Sequence, residues 1–190
     1  MELTLFAALH VPTEQAHQLA DVAERASERV PGSRVVAAEA MHVTFAYVGA
    51  VAEEHVPAIA ASLEDAAFSM PGAVALTLTG LDLFGDGHVL GACVDADLHV
   101  ILDVARDRFQ DAVRPFAPRA DAGAWRPHVS LLRAPRGGEL PRSLRFERLD
   151  VQPSTWIAPE LRLYASLPGP DGRQHRRMHA VPFGQPVPEA

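Results

Sequence analysis

The sequence predicts an α+β fold: two pseudo-symmetric lobes of mostly antiparallel sheet, flanked by helices, with a central cleft between them. Three observations favour this fold. Strand and helix patterns alternate along 190 residues, 48% of them hydrophobic, which is enough for a single bilobal domain over residues 1–190. A strand–helix–strand pattern occurs twice at equal spacing. No glycine-rich loop joins a strand to a helix, which disfavours a parallel β-α-β fold.

The first 81 residues contain strand and helix patterns in alternation. Apolar runs bounded by Gly and Pro indicate strands, and amphipathic periodicity indicates helices. Thr13 is expected to cap the first helix and Pro31-Gly32 to end it. The predicted elements are strands at Leu3–Leu9, Ala40–Val48 and Val74–Leu81, and helices from Thr13 to about Arg29 and from Glu53 to Phe68.

The rest of the chain adds one helix and five strands. Asp97 is expected to cap the helix, and residues 134–141 are rich in Pro and Gly and form a loop. A turn is expected at residues 168–172, between two strands of the tail. The predicted elements are strands at His88–Asp95, Pro127–Arg133, Phe146–Val151, Pro159–Ser166 and Met178–Phe183, and a helix at Leu98–Val113.

An internal repeat relates the two halves. Leu3, at the start of one strand, precedes His42 by 39 residues, and Val89 precedes His128 by the same 39 residues. Each interval ends in a strand with a similar tetrapeptide, His-Val-Thr-Phe at 42–45 or His-Val-Ser-Leu at 128–131. Equal spacing around similar sequences indicates two related units in a pseudo-twofold arrangement.

Charge and cysteine content exclude several classes of protein. All 17 basic residues are Arg, and the net charge is −7, which disfavours nonspecific binding of long nucleic acid. Residues 101–190 contain 14 of these Arg, enough to bind a small anionic substrate. The lone Cys93 rules out an internal disulfide and a thiolate-rich metal site, and its apolar strand favours a buried position.

The two tetrapeptides contain the candidate catalytic residues. Residues i and i+2 of a strand face the same way, so His42 lies beside Thr44, and His128 lies beside Ser130. One neutral and one protonated imidazole supply a base and an acid near neutral pH, and hydroxyls donate to phosphate oxygens. This arrangement suits hydrolysis of a cyclic phosphodiester without metal. One such histidine alone is usually structural, but two at matching positions of a repeat favour a site. His-x-Thr also lacks the accompanying carboxylates or thiols of a zinc site.

These residues resemble the two motifs of the 2H phosphoesterase superfamily. The resemblance rests on Met41–Gly49 and Arg126–Arg133, with further similarity at Leu78–Phe84 and Leu161–Ser166, and it is strongest for the RNA 2′,3′-cyclic phosphodiesterase (2′-5′ RNA ligase) family. It implies hydrolysis of a 2′,3′-cyclic phosphate on RNA or a nucleotide to a 2′-phosphate. His42 would then be the proton donor to the leaving oxygen and His128 the base, although pseudo-symmetry alone leaves these roles interchangeable.

Other residues are candidates for substrate binding, on signals less specific than the two histidine motifs. The resemblance implies that Thr44, Ser130 and Arg133 bind the substrate, with no metal and no cofactor. Arg126 is a weaker candidate, and Phe84 either stacks on a base or packs in the core. His175 and His179 are expected on the surface. The expected substrate is an RNA terminus or a cyclic nucleotide. A 2′-5′ linkage and a small cyclic phosphate such as that of ADP-ribose are the other possibilities, and 2′-5′ ligation of RNA would be the reverse reaction.

A second class of function is also compatible with the sequence, namely a non-catalytic nucleotide- or RNA-binding module on the same fold. Retention of both histidines and both hydroxyls argues against it.

The chain lacks an apolar run of the roughly 18 residues that span a bilayer, and its first residues resemble no secretion signal. We therefore expect a cytoplasmic monomer without membrane contact.

Overall fold

The computed structural model describes residues 1–118, 124–146, 153–169 and 172–184. Across these residues the chain forms nine strands and three α-helices. The strands are β1 (Glu2–His10), β2 (Arg34–Val35), β3 (His42–Ala52), β4 (Val74–Phe84), β5 (Val89–Ala96), β6 (His128–Arg133), β7 (Thr155–Ala158), β8 (Glu160–Gly169) and β9 (Gly172–Pro182). The helices are α1 (Thr13–Ser27), α2 (Val56–Phe68) and α3 (His99–Val113).

All nine described strands belong to one sheet. Its order is β7-β4-β5-β6-β3-β1-β8-β9, and β2 pairs with β6 beside this path. The paired strands are antiparallel, which confirms the predicted α+β class. The sheet curls: four strands separate β7 from β1, yet Trp156 of β7 donates a hydrogen bond from Nε1 to the His10 carbonyl, 3.0 Å away.

The two lobes are the two halves of this sheet. One half contains β1, β3, β8 and β9, and the other contains β4, β5, β6 and β7. They meet where Val43 of β3 pairs with Val129 of β6. The repeat in the sequence corresponds to β1–α1–β3 and β5–α3–β6, because β1 pairs with β3 and β5 pairs with β6 in the same antiparallel manner.

Helices and alternate strand residues bury the core on one face of the sheet. Val43 and Phe45 are fully buried, and Phe45 packs 6.2 Å from Phe109 of α3 between ring centroids. Leu19 of α1 and Ile59 of α2 are similarly buried. Burial of these side chains removes apolar surface from water, so it fixes which strand residues face inward. His42 and Thr44, one residue away, are left on the opposite face.

Both predicted helix caps were wrong. Thr13 is the first residue of α1, and Pro12 stands at the cap position without a side-chain hydrogen bond. Leu98 is the cap residue of α3, while Asp97 accepts a hydrogen bond from the Ala75 backbone N–H at 3.0 Å. Asp97 therefore satisfies a donor of the neighbouring strand rather than one of the helix.

Differences from the predicted strands are concentrated in the tail. The predicted strand at 146–151 lies largely outside the described residues, and Phe146 ends a 3₁₀ helix over Arg142–Phe146. β7 and the two-residue β2 were not predicted. β9 begins at Gly172 rather than Met178, because it pairs with β8 along almost its whole length.

Candidate active site

The two histidine motifs meet at the centre of the sheet. The pair Val43–Val129 lies in the middle of both, and its antiparallel direction sets His42 opposite Ser130 and Thr44 opposite His128. Diagonal neighbours of this kind have side chains about 7–8 Å apart at their base. All four predicted residues therefore lie on one face of the sheet, with His42 and His128 as diagonal neighbours.

Each imidazole is oriented by the backbone of its own strand. Nδ1 of His42 lies 2.8 Å from the Ala40 carbonyl, and Nδ1 of His128 lies 2.8 Å from the Arg126 carbonyl. A carbonyl only accepts hydrogen bonds, so Nδ1 is the protonated nitrogen in each ring and donates. The neutral ring then has Nε2 as a proton acceptor, which leaves that atom for chemistry in the cleft.

Burial makes both imidazoles weaker bases than a histidine in water. Burial, together with the positive charges that His175, Arg133 and His128 can carry, lowers the pKa of His42 from 6.5 to about 4. Burial also lowers the pKa of His128, with Arg126 and Arg133 acting in the same direction. Both rings are therefore neutral at pH 7 in the free protein.

A β-bulge places Arg133 on the same face as the histidines. Strand alternation alone would turn Arg133 away from His128, because the two are five positions apart, an odd number. Gly91 pairs with Ser130 but Leu90 pairs with Leu132, so Leu131 is an extra residue in β6 and the alternation reverses after it. The positive charge of Arg133 accordingly lowers the pKa of His42, His128 and His175.

An aromatic ring packs flat against His128. The Phe84 and His128 rings are stacked, with centroids 3.8 Å apart and an interplanar angle of 14°. The Arg126 guanidinium lies 4.7 Å from the centroid of Phe84 and forms an ion pair with Asp82 at 3.2 Å. Phe84 is buried, as its predicted packing role requires, and its ring supports a catalytic candidate. Arg126 contacts Phe84.

The sequence prediction missed the surroundings of His42. Its ring lies 4.6 Å from Phe6 and 5.0 Å from His175 between centroids. The prediction that His175 is a surface histidine was wrong, because its half-buried ring packs edge-on against His42. His179, further along the same strand, instead pairs with Glu64 of α2 at 2.9 Å.

A pocket of about 190 Å³ opens beside His42. It lies between the end of β1, the start of α1 and strands β8 and β9, and its lining includes His10, Glu39, Arg162, Tyr164 and His175. Strand alternation on β8 could have indicated that Arg162 and Tyr164 share a face, but not which face.

In the part of the chain that the structure describes, no three His, Cys, Asp or Glu side chains are grouped as a metal site would require. No described helix is long and apolar enough to cross a membrane.

The fold and the paired motifs have the pattern expected of a two-histidine phosphoesterase. Residues 9–91, which include the His42 motif, match the family model described as LigT like Phosphoesterase. This match confirms the predicted resemblance to a LigT-like phosphoesterase over residues 9–91. No curated protein sequence matches this chain.

Solved structures with the same fold align with almost the whole chain. TT0787 of Thermus thermophilus is 21% identical, with a TM-score of 0.75, and the alignment covers 96% of this chain and 99% of that one. E. coli LigT complexed with 3′-AMP is 20% identical, with a TM-score of 0.71, and the alignment covers 97% of this chain and 100% of that one. At 20–21% identity, this structural similarity establishes that the proteins share a fold.

Proposed function

We propose that the protein is a metal-independent phosphodiesterase that hydrolyses 2′,3′-cyclic phosphates of RNA or nucleotides to 2′-phosphates. One observation supports this most directly: His42 with Thr44 and His128 with Ser130 face a common cleft from the two related halves of the sheet. Each ring also has the same hydrogen bond to a carbonyl two residues earlier. The duplicated geometry suits a pair of proton-transfer groups on either side of one phosphorus atom.

The reaction needs one base and one acid. In the proposed direction, Nε2 of neutral His128 accepts a proton from water as the water oxygen bonds to phosphorus. Protonated His42 donates its proton to the 3′ oxygen as the P–O3′ bond breaks. One water is consumed, and the product has a 2′-phosphate and a free 3′-hydroxyl. The family resemblance, rather than the near-symmetric geometry, assigns which histidine does which.

Charge on the phosphate is offset by neutral donors and one cation. In this proposal the Thr44 and Ser130 hydroxyls donate hydrogen bonds to the two non-bridging oxygens. Arg133 contributes a positive charge that acts on both histidines. A bound phosphate anion also raises the pKa of a nearby imidazole, which favours the protonated form that His42 requires.

Related structures support binding of nucleotides or phosphate at this fold. E. coli LigT has been crystallised with 3′-AMP and with phosphate, at 20% identity to this chain. We extend to this protein a substrate that is an RNA terminus or a cyclic nucleotide. We also propose that the chain forms a single bilobal domain and acts as a cytoplasmic monomer without a cofactor.

Product analysis tests the proposal. Purified protein is incubated with the four nucleoside 2′,3′-cyclic phosphates, with an RNA oligonucleotide ending in one, and with a 2′-5′-linked dinucleotide, and products are separated by chromatography and ³¹P NMR. We expect nucleoside 2′-phosphates, and none from the His42→Ala, His128→Ala double variant prepared in parallel. Tight binding of nucleotides without turnover would favour the alternative of a non-catalytic binding module.

A further inference from the structure

Trp125 links the two histidine motifs through a hydrogen bond. It lies three residues before His128, at the approach to β6, and its indole Nε1 donates to the Thr44 carbonyl of β3 at 2.8 Å. Thr44 follows His42 by two residues in the other motif. A side chain beside one motif is therefore bonded to the backbone of the other, and the two motifs belong to different halves of the sheet.

The core holds the Trp125 ring in place. The residue is 9% exposed, and its ring meets Phe45 edge-on, with centroids 6.4 Å apart and an interplanar angle of 74°. On its other contact it stacks with His99 of α3 at 5.7 Å and 15°. An indole packed in this way directs its N–H at one point, and a buried N–H without an acceptor is costly. The packing of the ring thus fixes where the Thr44 carbonyl must lie.

The junction between β3 and β6 is short, so the contacts along it matter. Among the described residues these two strands share one register pair, Val43–Val129. Toward one end of the junction, β2 pairs with the last two residues of β6, and the Val36 N–H donates to the Leu131 carbonyl at 2.8 Å. Trp125 supplies a tether at the other end, before β6 begins.

We propose that Trp125 is a positioning residue, which sets Thr44 against His128 by holding the β3 backbone to the start of β6. The inference rests on the proposed function for the reaction that this alignment serves. Thr44 lies opposite His128 in the antiparallel register, so the bond controls the spacing between the hydroxyl of one motif and the imidazole of the other. Both groups must face one phosphorus atom, and a misplacement of about 1 Å can cost about 100-fold in rate. Because the tether aligns reacting groups, its loss should lower kcat more than it raises KM.

The first test removes the N–H and retains an aromatic ring. In Trp125→Phe, kcat for adenosine 2′,3′-cyclic phosphate should fall roughly tenfold or more, with KM changed by less than about threefold. Phe109→Leu is the matched control, because it loosens the same aromatic cluster around Phe45 without removing the bond to Thr44. Urea should unfold both variants at lower concentration, but kcat of the control should stay near the wild-type value. Equal falls of kcat in the two variants would show that Trp125 only stabilises the fold.

A shape-matched analogue keeps the test independent of the smaller Phe ring. In a Trp156→Phe background Trp125 is the one tryptophan of the chain, so expression in a tryptophan auxotroph can replace it with 3-benzothienylalanine. Sulfur takes the place of the N–H in this analogue, and the bicyclic shape is kept. The analogue should lower kcat by about the same factor as Trp125→Phe does in that background. Full kcat with the analogue would overturn the inference, because the hydrogen bond would then be dispensable.

Hydrogen exchange separates this inference from the proposed function, because it needs neither substrate nor turnover. If the wild-type protein hydrolyses none of the substrates, the proposed function fails, and the exchange measurement still tests the tether. Trp125→Phe should speed exchange of the backbone amides at 42–44 and 128–130 by roughly tenfold or more relative to Leu163 of β8, and Phe109→Leu should not. Equal changes at Leu163 and at the motif amides, or no change at all, would refute the role of Trp125.

Discussion

Val43 and Val129 pair across β3 and β6 and join the two halves of the sheet. Each valine is fully buried and stands between the histidine and the hydroxyl residue of its motif. The pair therefore lies on the pseudo-twofold axis that relates the halves, and the two histidines lie on either side of it. Because both valines point into the core, the four polar side chains are held on the opposite face by the packing that stabilises the fold.

Replacing either histidine by alanine should lower the rate sharply. A positioned acid or base is usually worth about 10²–10⁴-fold, so His42→Ala and His128→Ala should each lose that much in kcat. The double variant should lose far less than the product of the two, because the pair acts as a unit. Ser130→Ala should cost less than either, and exposed His88→Ala should cost nothing. Near-wild-type turnover in a folded His128→Ala protein would rule out the two-histidine mechanism.

The rate at low substrate concentration should have its optimum on the acid side of neutrality. The pKa of His42 is about 4 and that of His128 is also lowered, so both limbs of the kcat/KM profile should lie at or below pH 6.5. The bound anion favours protonation, so the profile of kcat should be displaced to higher pH. A single plateau from pH 5 to pH 9 in kcat/KM would contradict this assignment.

Stability should decrease as the pH falls, because His42 is neutral in the folded protein. Its folded pKa of about 4 lies below the unfolded value of 6.5, so the unfolded state binds more protons between these values. The stabilisation is complete above pH 6.5 and is lost as pH falls toward 4, by about 3 kcal/mol.

Urea unfolding of wild-type protein and His42→Gln at pH 7 and pH 4 measures this effect. The difference between the two proteins cancels the other titrating groups, and it should shift by about 3 kcal/mol in favour of the variant at pH 4. A difference that is the same at both pH values would mean that the His42 ring titrates normally.

Gly91 should be needed for the orientation of His128. A Cβ atom at Gly91 would lie 2.8 Å from Phe84 Cε2 and 2.9 Å from His128 Cδ2, so the stacked rings must move in Gly91→Ala. Displacement of a catalytic group by about 1 Å can cost about 100-fold, and we expect kcat to fall by roughly that factor. Gly72→Ala is the control, because nothing lies within 4 Å of its Cβ position. Unchanged kcat in Gly91→Ala would show that the stacking does not position the ring.

Activity should survive removal of divalent metal ions. Two imidazoles and two hydroxyls can complete proton transfer and charge stabilisation without a Lewis acid. The assay is repeated after dialysis against EDTA, with the rate expected to stay within about twofold of the untreated protein. Loss of activity that Mg²⁺, Mn²⁺ or Zn²⁺ restores would instead indicate a metal-dependent phosphoesterase.

Local periodicity was sufficient to predict the centre of the candidate site. The side chains of a strand alternate between two faces by backbone geometry alone, so His42 with Thr44 and His128 with Ser130 could be grouped from the sequence. Most helix and strand positions followed from the same periodicity. The caps at Thr13 and Asp97 did not follow from it, because α1 begins at Thr13 itself and Asp97 accepts a hydrogen bond from Ala75 of a neighbouring strand.

Contacts between distant strands required the tertiary structure. Arg133 reaches the site face only because Leu131 bulges in β6, and a bulge depends on pairing with β5. His175 lies beside His42 only because the sheet curls and β9 returns along β8. Alternation is a property of one strand, whereas register and curl arise from packing the whole sheet on its core. The sequence by itself therefore determined the two histidine motifs, and only the folded sheet decided which side chains surround them.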